Sequence, residues 1–69
     1  MKLSARNVLK GKIVEVKKGT TTAHVRIQLP GGAIITSSIT NEAVDELRLS
    51  PGDDAYAVIK ASDVMVGRD

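Results

Sequence analysis

The sequence has no cysteine, tryptophan or phenylalanine, and its 69 residues include a single tyrosine and a single histidine. Without cysteine or a cluster of cysteine and histidine, neither a disulfide nor a structural metal site can stabilise so small a domain. A domain of this length buries only roughly 60% of the surface that its unfolded chain exposes. We therefore expect one domain spanning residues 1–69 that associates with other copies of itself. The alternative is a monomer with a thin core.

Long apolar runs are also missing. No stretch approaches the ~20 apolar residues that span a membrane, and the first four residues lack the apolar segment of a secretion signal. We expect a cytoplasmic protein with no membrane partner.

The residues that carry out chemistry in enzymes are poorly placed for it. The carboxylates cluster in a predicted helix and the turn after it, with no base beside them, and the sole histidine, His24, lies on the polar face of a predicted strand. The glycines are scattered among turns and form no phosphate-binding loop. We expect neither an enzyme nor a cofactor.

Positive charge is concentrated in the first part of the chain. Residues 1–29 contain seven lysines and arginines against one acid, Glu15, although the net charge of the whole chain is only +2. Such asymmetry indicates an anionic partner. A solvated basic face that keeps the protein soluble is the simpler alternative.

Alternating apolar residues and turn signals predict the order of the elements. We expect strands at residues 7–16, 20–29 and 33–39, and strands at 54–60 and 64–66. Between the third and fourth strands, Thr40 and Asn41 offer an N-cap for a short helix that ends at Leu47. This order is typical of an all-β, five-stranded OB-like Greek-key barrel with one short helix between strands 3 and 4.

Four details of this barrel can be predicted from apolar positions. The adjacent Ile13 and Val14 indicate a bulge or a strongly coiled strand that turns both side chains inward. Val44 and Leu47 are expected to cover one end of the barrel. The strand at 54–60 is apolar on both faces, so we expect Tyr56 to be buried and one face to contact another subunit.

Two short clusters supply hydrogen-bond donors near the ends of the chain. They consist of Ser4, Ala5, Arg6 and Asn7 at the start of the first strand and Lys60, Ala61 and Ser62 after the fourth. Arginine and lysine donate protons and cannot accept one at neutral pH. The clusters therefore predict an anion site, which the first and last strands could assemble within one subunit or across two.

A single-stranded nucleic-acid-binding module is the alternative function. OB-type barrels with basic surfaces bind single strands by stacking bases on aromatic side chains. Tyr56 is the only aromatic residue available here, and contacts with phosphates alone would give weak, salt-sensitive binding.

The motifs carrying both donor clusters resemble the molbindins, small proteins built of one molybdate-binding (Mop) domain. The similarity runs from Ser4 to Val66 and includes the S-A-R-N-x-L-x-G opening and the late K-A-S-D-V-M segment. This domain also occurs in molybdate-responsive regulators and transporter ATPases.

The resemblance implies a homohexamer, a trimer of dimers, that holds molybdate or tungstate as an oxyanion at subunit interfaces without direct side-chain ligation of the metal. Residues 4–7 would come from one chain and residues 60–62 from a neighbour. Some relatives have serine where this chain has Ala61, so one side-chain hydroxyl is missing. The expected role is intracellular molybdenum storage or homeostasis.

The resemblance also implies a second kind of site near the threefold axis. Its candidates are two hydroxyl-rich segments, which comprise Gly19, Thr20, Thr21 and Thr22, and Ser37, Ser38, Ile39 and Thr40. Threonine and serine chosen for their fit to sheet faces would explain these segments equally well.

Overall fold

The structure is a computed structural model that describes residue 2 and residues 4–69. In this part of the chain, four strands form one antiparallel sheet: β1 (Asn7–Lys18), β2 (Thr22–Gln28), β3 (Ile34–Thr40) and β4 (Asp54–Ile59). Helix α1 (Asn41–Leu47) connects β3 to β4, and a 3₁₀ turn, η1 (Ala61–Asp63), follows β4. The predicted mostly-β fold with one short helix between the third and fourth strands is confirmed.

The sheet has Greek-key connectivity. Its strand order is β3-β2-β1-β4, so three consecutive strands form a meander and β4 returns to lie beside β1. The first half of β1 pairs with β4 and the second half with β2, and Lys12 is paired on both sides, with Asp54 and with Gln28. This division curls the sheet into an OB-like barrel, which stays open between β3 and β4 in the described part of the chain.

The predicted fifth strand at residues 64–66 does not form. After β4 the chain enters η1, in which the Asp63 N–H donates to the Lys60 carbonyl at 2.9 Å. Val64 is about half exposed, and Met65 and Val66 are each 94% exposed. A strand needs a partner edge, and within the described residues this segment pairs with none.

A small cluster of aliphatic side chains forms the core. In the described part of the chain, the buried hydrophobic residues are Ile13, Ala23, Val25, Ile27, Val44 and Ala57. Three of them alternate along β2, as the sequence predicts. This core has no aromatic residue, so the described part of the chain buries few large side chains.

The predicted bulge in β1 is present, but its two apolar residues point in different directions. The pairing with β2 shifts register between Ile13 and Glu15. Ile13 is fully buried, whereas Val14 is 41% exposed, so the expectation that both face inward is wrong. A bulge sets two residues opposite one, and here only Ile13 keeps the inward position. The turn after α1 secures it, because the Gly52 N–H donates to the Ile13 carbonyl at 2.7 Å.

Gly11 lies where β1 passes close to β2. A Cβ atom at this position would lie 2.5 Å from the Gln28 carbonyl oxygen and 2.7 Å from Cγ2 of Ile27. Glycine therefore permits the close crossing at which β1 leaves β4 and joins β2.

Helix α1 is capped as the sequence predicts, but it covers the barrel with one residue only. The Thr40 hydroxyl accepts a hydrogen bond from the Ala43 N–H at 3.0 Å, and Arg48 ends the helix in the left-handed conformation with φ of 52°. Val44 is buried, whereas Leu47 is 66% exposed, so the expectation that both cover the barrel is wrong for Leu47. Leu47 borders the opening between β3 and β4, where it lacks a covering surface.

Candidate oxyanion site

The two donor clusters lie at the same end of the β1–β4 ribbon. Asn7 and Ile59 face each other in the outermost pair of these antiparallel strands, and Nδ2 of Asn7 donates to the Ile59 carbonyl oxygen at 3.2 Å. One step further along the two strands lie Arg6 and Lys60. The strand register thus brings together, within one chain, the two clusters that the sequence separates.

The side chains of this site are open to solvent. Ser4, Arg6, Lys60 and Ser62 are exposed, and Ala5 and Asn7 are partly buried. An anion bound to these groups in a single chain would keep water on one side. The site therefore has the donors for an anion but lacks a cover that would remove solvent.

Among the described residues, no carboxylate forms an ion pair with Arg6 or Lys60. The ion pairs among the described residues join Lys12 to Asp54 and Lys18 to Asp45. Both pairs lie away from the end of the ribbon, so neither Arg6 nor Lys60 takes part in an ion pair in the described part of the chain. Two such charges close together favour an anionic ligand.

The 3₁₀ turn η1 adds backbone donors beside Lys60. Lys60 occupies the N-cap position and makes no side-chain capping hydrogen bond. The first N–H groups of a helical turn have no partner inside the turn, which applies here to Ala61 and Ser62. Ala61 can therefore contribute through its backbone, although its side chain has no hydroxyl.

Asn7 has a role that the sequence did not reveal. The sequence marks its amide as one more donor for the anion, whereas the structure uses one of the two N–H groups of Nδ2 to join β1 to β4. An asparagine at the mouth of a strand gives no signal of which carbonyl it will meet. Only the register of the folded sheet identifies Ile59 as its partner.

The candidate segments of the second site also converge, but their side chains divide between two faces of the sheet. Thr22 lies opposite Thr40, and Ser38 lies opposite His24. Along β3, Ser38 and Thr40 are exposed, whereas Ser37 and Ile39 are partly buried on the other face. The structure therefore does not gather all of these hydroxyls around one point.

Asn41 organises the loop before β2, a role that the sequence missed. Its Nδ2 donates to the carbonyl oxygens of Gly19 and Thr20, at 2.9 and 3.3 Å, and its backbone N–H donates to the Thr21 carbonyl at 2.9 Å. The sequence marked Asn41 only as part of a helix cap. These bonds hold the threonine-rich loop against the start of α1.

The outward face of the β1–β4 ribbon is apolar and uncovered. Val8 lies directly opposite Val58, and Tyr56 lies opposite Lys10. The exposed fractions of Val8, Val58 and Tyr56 are 43%, 42% and 54%. Tyr56 is therefore not covered by its own chain, and its burial against another subunit stays a prediction. We call Val8, Tyr56 and Val58 the outer ribbon face. The alternate positions on both strands face the core, whereas no described residue covers the outer ribbon face.

One carboxyl group on this face has a perturbed pKa. The hydrogen bond from Lys12 at 2.7 Å, together with the charges of Lys12 and Lys10, lowers the pKa of Asp54 below its usual 3.8.

The described residues contain no group of three or more histidine or acidic side chains arranged to hold a metal ion. None of the helices in this part of the chain is long and apolar enough to cross a membrane.

A curled OB-like barrel with exposed hydrogen-bond donors at one end has the features of a small ligand-binding domain. The family model described as TOBE domain matches residues 3–66. The chain belongs to the TOBE-domain family, among its small molybdenum-pterin-binding (Mop) proteins. A probable molybdenum-pterin-binding protein from Haemophilus influenzae is 51% identical over 97% of both chains.

Two solved structures share both sequence and fold with this chain. MopII from Clostridium pasteurianum, in an apo form, superposes with a TM-score of 0.91 at 46% identity, covering 97% of this chain and all of MopII. The cytoplasmic molybdate-binding protein ModG, solved with molybdate bound, gives a TM-score of 0.91 at 51% identity. That match covers 94% of this chain and 46% of the ModG chain. The Haemophilus influenzae relative is named for binding molybdenum-pterin, and ModG is named for binding molybdate.

Proposed function

We propose that this chain binds molybdate at the end of the β1–β4 ribbon. The observation that carries the proposal is the Asn7–Ile59 pair, which sets Arg6 and Lys60 on adjacent strand ends. The charges of Arg6 and Lys60, the hydroxyls of Ser4 and Ser62 and the backbone donors of η1 would line a pocket between copies with N–H and O–H groups. The ModG relative, solved with molybdate, supports the choice of ligand.

Proton content gives such a pocket its selectivity. Molybdate is a tetrahedral dianion that carries no proton at neutral pH, so donors alone satisfy all of its oxygens. Hydrogen phosphate would turn its own proton toward other donors, at a cost of ~1–3 kcal/mol for the unpaired group. Sulfate also carries no proton, so the site can exclude it only because sulfate is smaller than molybdate. Tungstate shares the charge and nearly the size of molybdate, so we expect it to bind as well.

The site is completed by a second copy of the chain. The chain exposes 5540 Å², whereas a compact monomer of its mass, 7.3 kDa, exposes about 4,200 Å². The excess is larger than the ~800 Å² that each partner contributes to a typical stable interface. The outer ribbon face supplies apolar surface for such contacts.

The assembly we propose is a homohexamer, a trimer of dimers, in which the ribbon ends of two copies lie together, so that residues 4–7 of one chain also meet residues 60–62 of its neighbour. A pocket between copies links ligand binding to assembly, because the bound anion stabilises the oligomer that holds the complete site.

A protein of this kind stores molybdate or buffers its concentration. By analogy with ModG, which is described as cytoplasmic, we place this activity in the cytoplasm. The threonine-rich loop beside Asn41 remains our candidate for a second anion site.

Nucleic-acid binding is the weaker candidate. Its support is Tyr56, which is exposed beside Lys10 on the outer ribbon face. A single aromatic side chain provides one stacking platform, whereas single-strand binders combine several. In addition, Asp54 already pairs with the nearby Lys12.

Titration calorimetry tests the proposal. Wild-type protein should bind molybdate and tungstate and show no comparable heat with phosphate or a single-stranded oligonucleotide. Arg6→Ala and Lys60→Ala should each weaken molybdate binding by about tenfold or more, because a hydrogen bond to a charged group contributes ~1.5–3 kcal/mol. Lys17→Ala, which removes an exposed lysine far from the ribbon end, is the matched control. Unchanged affinity in both site variants would refute the assignment.

A further inference from the structure

One acidic side chain lies next to the donors at the end of the β1–β4 ribbon. Asp63 is the last residue of η1 and follows Lys60 by three positions. Its backbone N–H donates to the Lys60 carbonyl at 2.9 Å, which fixes the backbone of Asp63 relative to that of Lys60. The two donor clusters contain no carboxylate of their own. Binding of an anion by Arg6 and Lys60 does not by itself require Asp63.

The fold gives the Asp63 carboxylate no partner in the described part of the chain. The ion pairs there join Lys12 to Asp54 and Lys18 to Asp45, and no side-chain hydrogen bond there involves Asp63. The side chain is exposed. No bond to the fold therefore accounts for this carboxylate, and its charge acts on whatever lies nearby.

The charge of Asp63 opposes the attraction that Arg6 and Lys60 exert on an anion. A 3₁₀ turn rises about 2.0 Å per residue, so Asp63 lies roughly 6 Å along the turn from Lys60, and an anion held by the Lys60 ammonium lies on the order of 10 Å from the carboxylate. By Coulomb's law, one negative charge at this separation lowers the affinity for a dianion by about threefold in water at low salt.

We propose that Asp63 sets the affinity of the ribbon-end site by repelling the bound dianion, so that the site can release molybdate as well as take it up. The inference rests on the proposed function and adds a residue that limits how tightly the anion is held. A nearby fixed charge weakens binding without removing any of the donors that select a proton-free anion. Asp63 does not touch the anion and acts only through its charge.

Titration calorimetry of Asp63→Asn with molybdate tests this role, because asparagine keeps the size of aspartate and removes its charge. We expect binding about threefold tighter than wild type at about 10 mM salt, where charges act over ~30 Å, and equal binding at about 1 M, where they act over ~3 Å. Asp63→Ser provides a second uncharged variant, and Asp63→Glu, which keeps the charge, should retain wild-type affinity.

The matched control removes a carboxylate at the other end of the sheet. Glu46 is exposed on α1, next to Asp45, which pairs with Lys18 at the end of β1 farthest from the donor clusters. Glu46→Gln changes the net charge of the chain as much as Asp63→Asn does. We expect it to leave molybdate affinity unchanged at both salt concentrations.

A monoanion distinguishes repulsion from a change in the shape of the pocket. Perrhenate is tetrahedral and proton-free like molybdate but carries one negative charge, so Asp63 should repel it half as strongly. The gain in perrhenate affinity in Asp63→Asn, measured by displacement with molybdate, should therefore be the square root of the gain for molybdate, about 1.7-fold. Equal gains for the two anions would contradict repulsion by charge.

The remaining outcomes separate this inference from the proposed function. If wild-type protein binds molybdate and neither Asp63→Asn nor Asp63→Ser binds it more tightly at low salt, the role of Asp63 is wrong and the molybdate site remains. A gain in affinity that persists at about 1 M salt would also overturn this role, because screening removes a charge effect. Wild-type protein that binds no molybdate would overturn the site and, with it, this inference.

Discussion

Asn7 and Ile59, 52 positions apart in the sequence, are joined by a hydrogen bond from the Asn7 side-chain amide to the Ile59 carbonyl oxygen. They form the outermost pair of β1 and β4. Beyond them the chain continues on one side into Arg6 and on the other into Lys60. A single pair thus aligns two donor clusters from opposite ends of the chain.

This alignment predicts the effect of removing the Asn7 amide. Asn7→Ala should lower the free energy of unfolding by ~0.5–1.5 kcal/mol, the contribution of one hydrogen bond, and should weaken molybdate binding because the ends of β1 and β4 separate. Chemical denaturation and calorimetry measure the two effects. Gln28→Ala, at an exposed position on β2, serves as control. An Asn7→Ala variant with wild-type affinity and stability would show that the pair does not position the site.

Mixing two defective chains tests whether the site is shared between copies. If residues 4–7 and 60–62 of one site come from different chains, a refolded equal mixture of Arg6→Ala and Lys60→Ala should recover about a quarter of the high-affinity sites, those built from the two intact clusters. Calorimetry counts these sites. Each variant refolded alone is the control. If both clusters of a site belong to one chain, the mixture should contain no high-affinity site.

Gly11 provides a test of the close crossing between β1 and β2. Gly11→Ala should destabilise the fold by ~1–3 kcal/mol, because its Cβ would press against backbone atoms of Gln28 that cannot move independently. Thermal or chemical unfolding measures this loss. Gly67→Ala is the matched control, since no atom lies within 4 Å of a Cβ at that position. Equal stability of the two variants would contradict the crossing.

The Lys12–Asp54 pair predicts a pH dependence of stability. Lys12 lowers the pKa of Asp54, so the pair contributes stability above the ordinary value of 3.8 and loses it as the pH falls through the lowered pKa in the folded state. Wild-type stability should therefore fall more than that of Asp54→Asn on acidification. The difference should be small and should shrink in high salt, because both side chains are exposed. Thermal unfolding across this pH range at two salt concentrations measures it, and parallel curves would contradict it.

The sequence predicts which segments form strands more reliably than it predicts which apolar residues are covered. Val14, Leu47, Tyr56 and Met65 all fit an apolar pattern, and all are exposed in the single chain. An apolar pattern indicates that a side chain needs burial, but it does not specify which chain provides the covering surface. The alternation along β2 succeeds because its inward face is covered by the same chain.

Some features of the candidate site can be predicted from sequence motifs, whereas others are visible only in the folded structure. The donor clusters are visible in the sequence because charged and hydroxyl side chains are crowded into short segments. The partners of Asn7 and Asn41 are not visible, since a side-chain amide can bond to any carbonyl that the fold brings within reach. Both amides prove to hold backbone segments together, which composition alone cannot indicate.

Lys12 pairs with Gln28 on one side and Asp54 on the other, so a single residue belongs to both ladders of β1. The register of β1 is therefore fixed on both of its edges at that point. An insertion of one residue between Asn7 and Lys12 would turn each preceding side chain of β1 to the opposite face of the sheet. It would also shift Arg6 away from Lys60, whereas a change of length in a loop leaves this alignment intact. Insertions or deletions in that half of β1 should therefore be far more damaging than those in the loops.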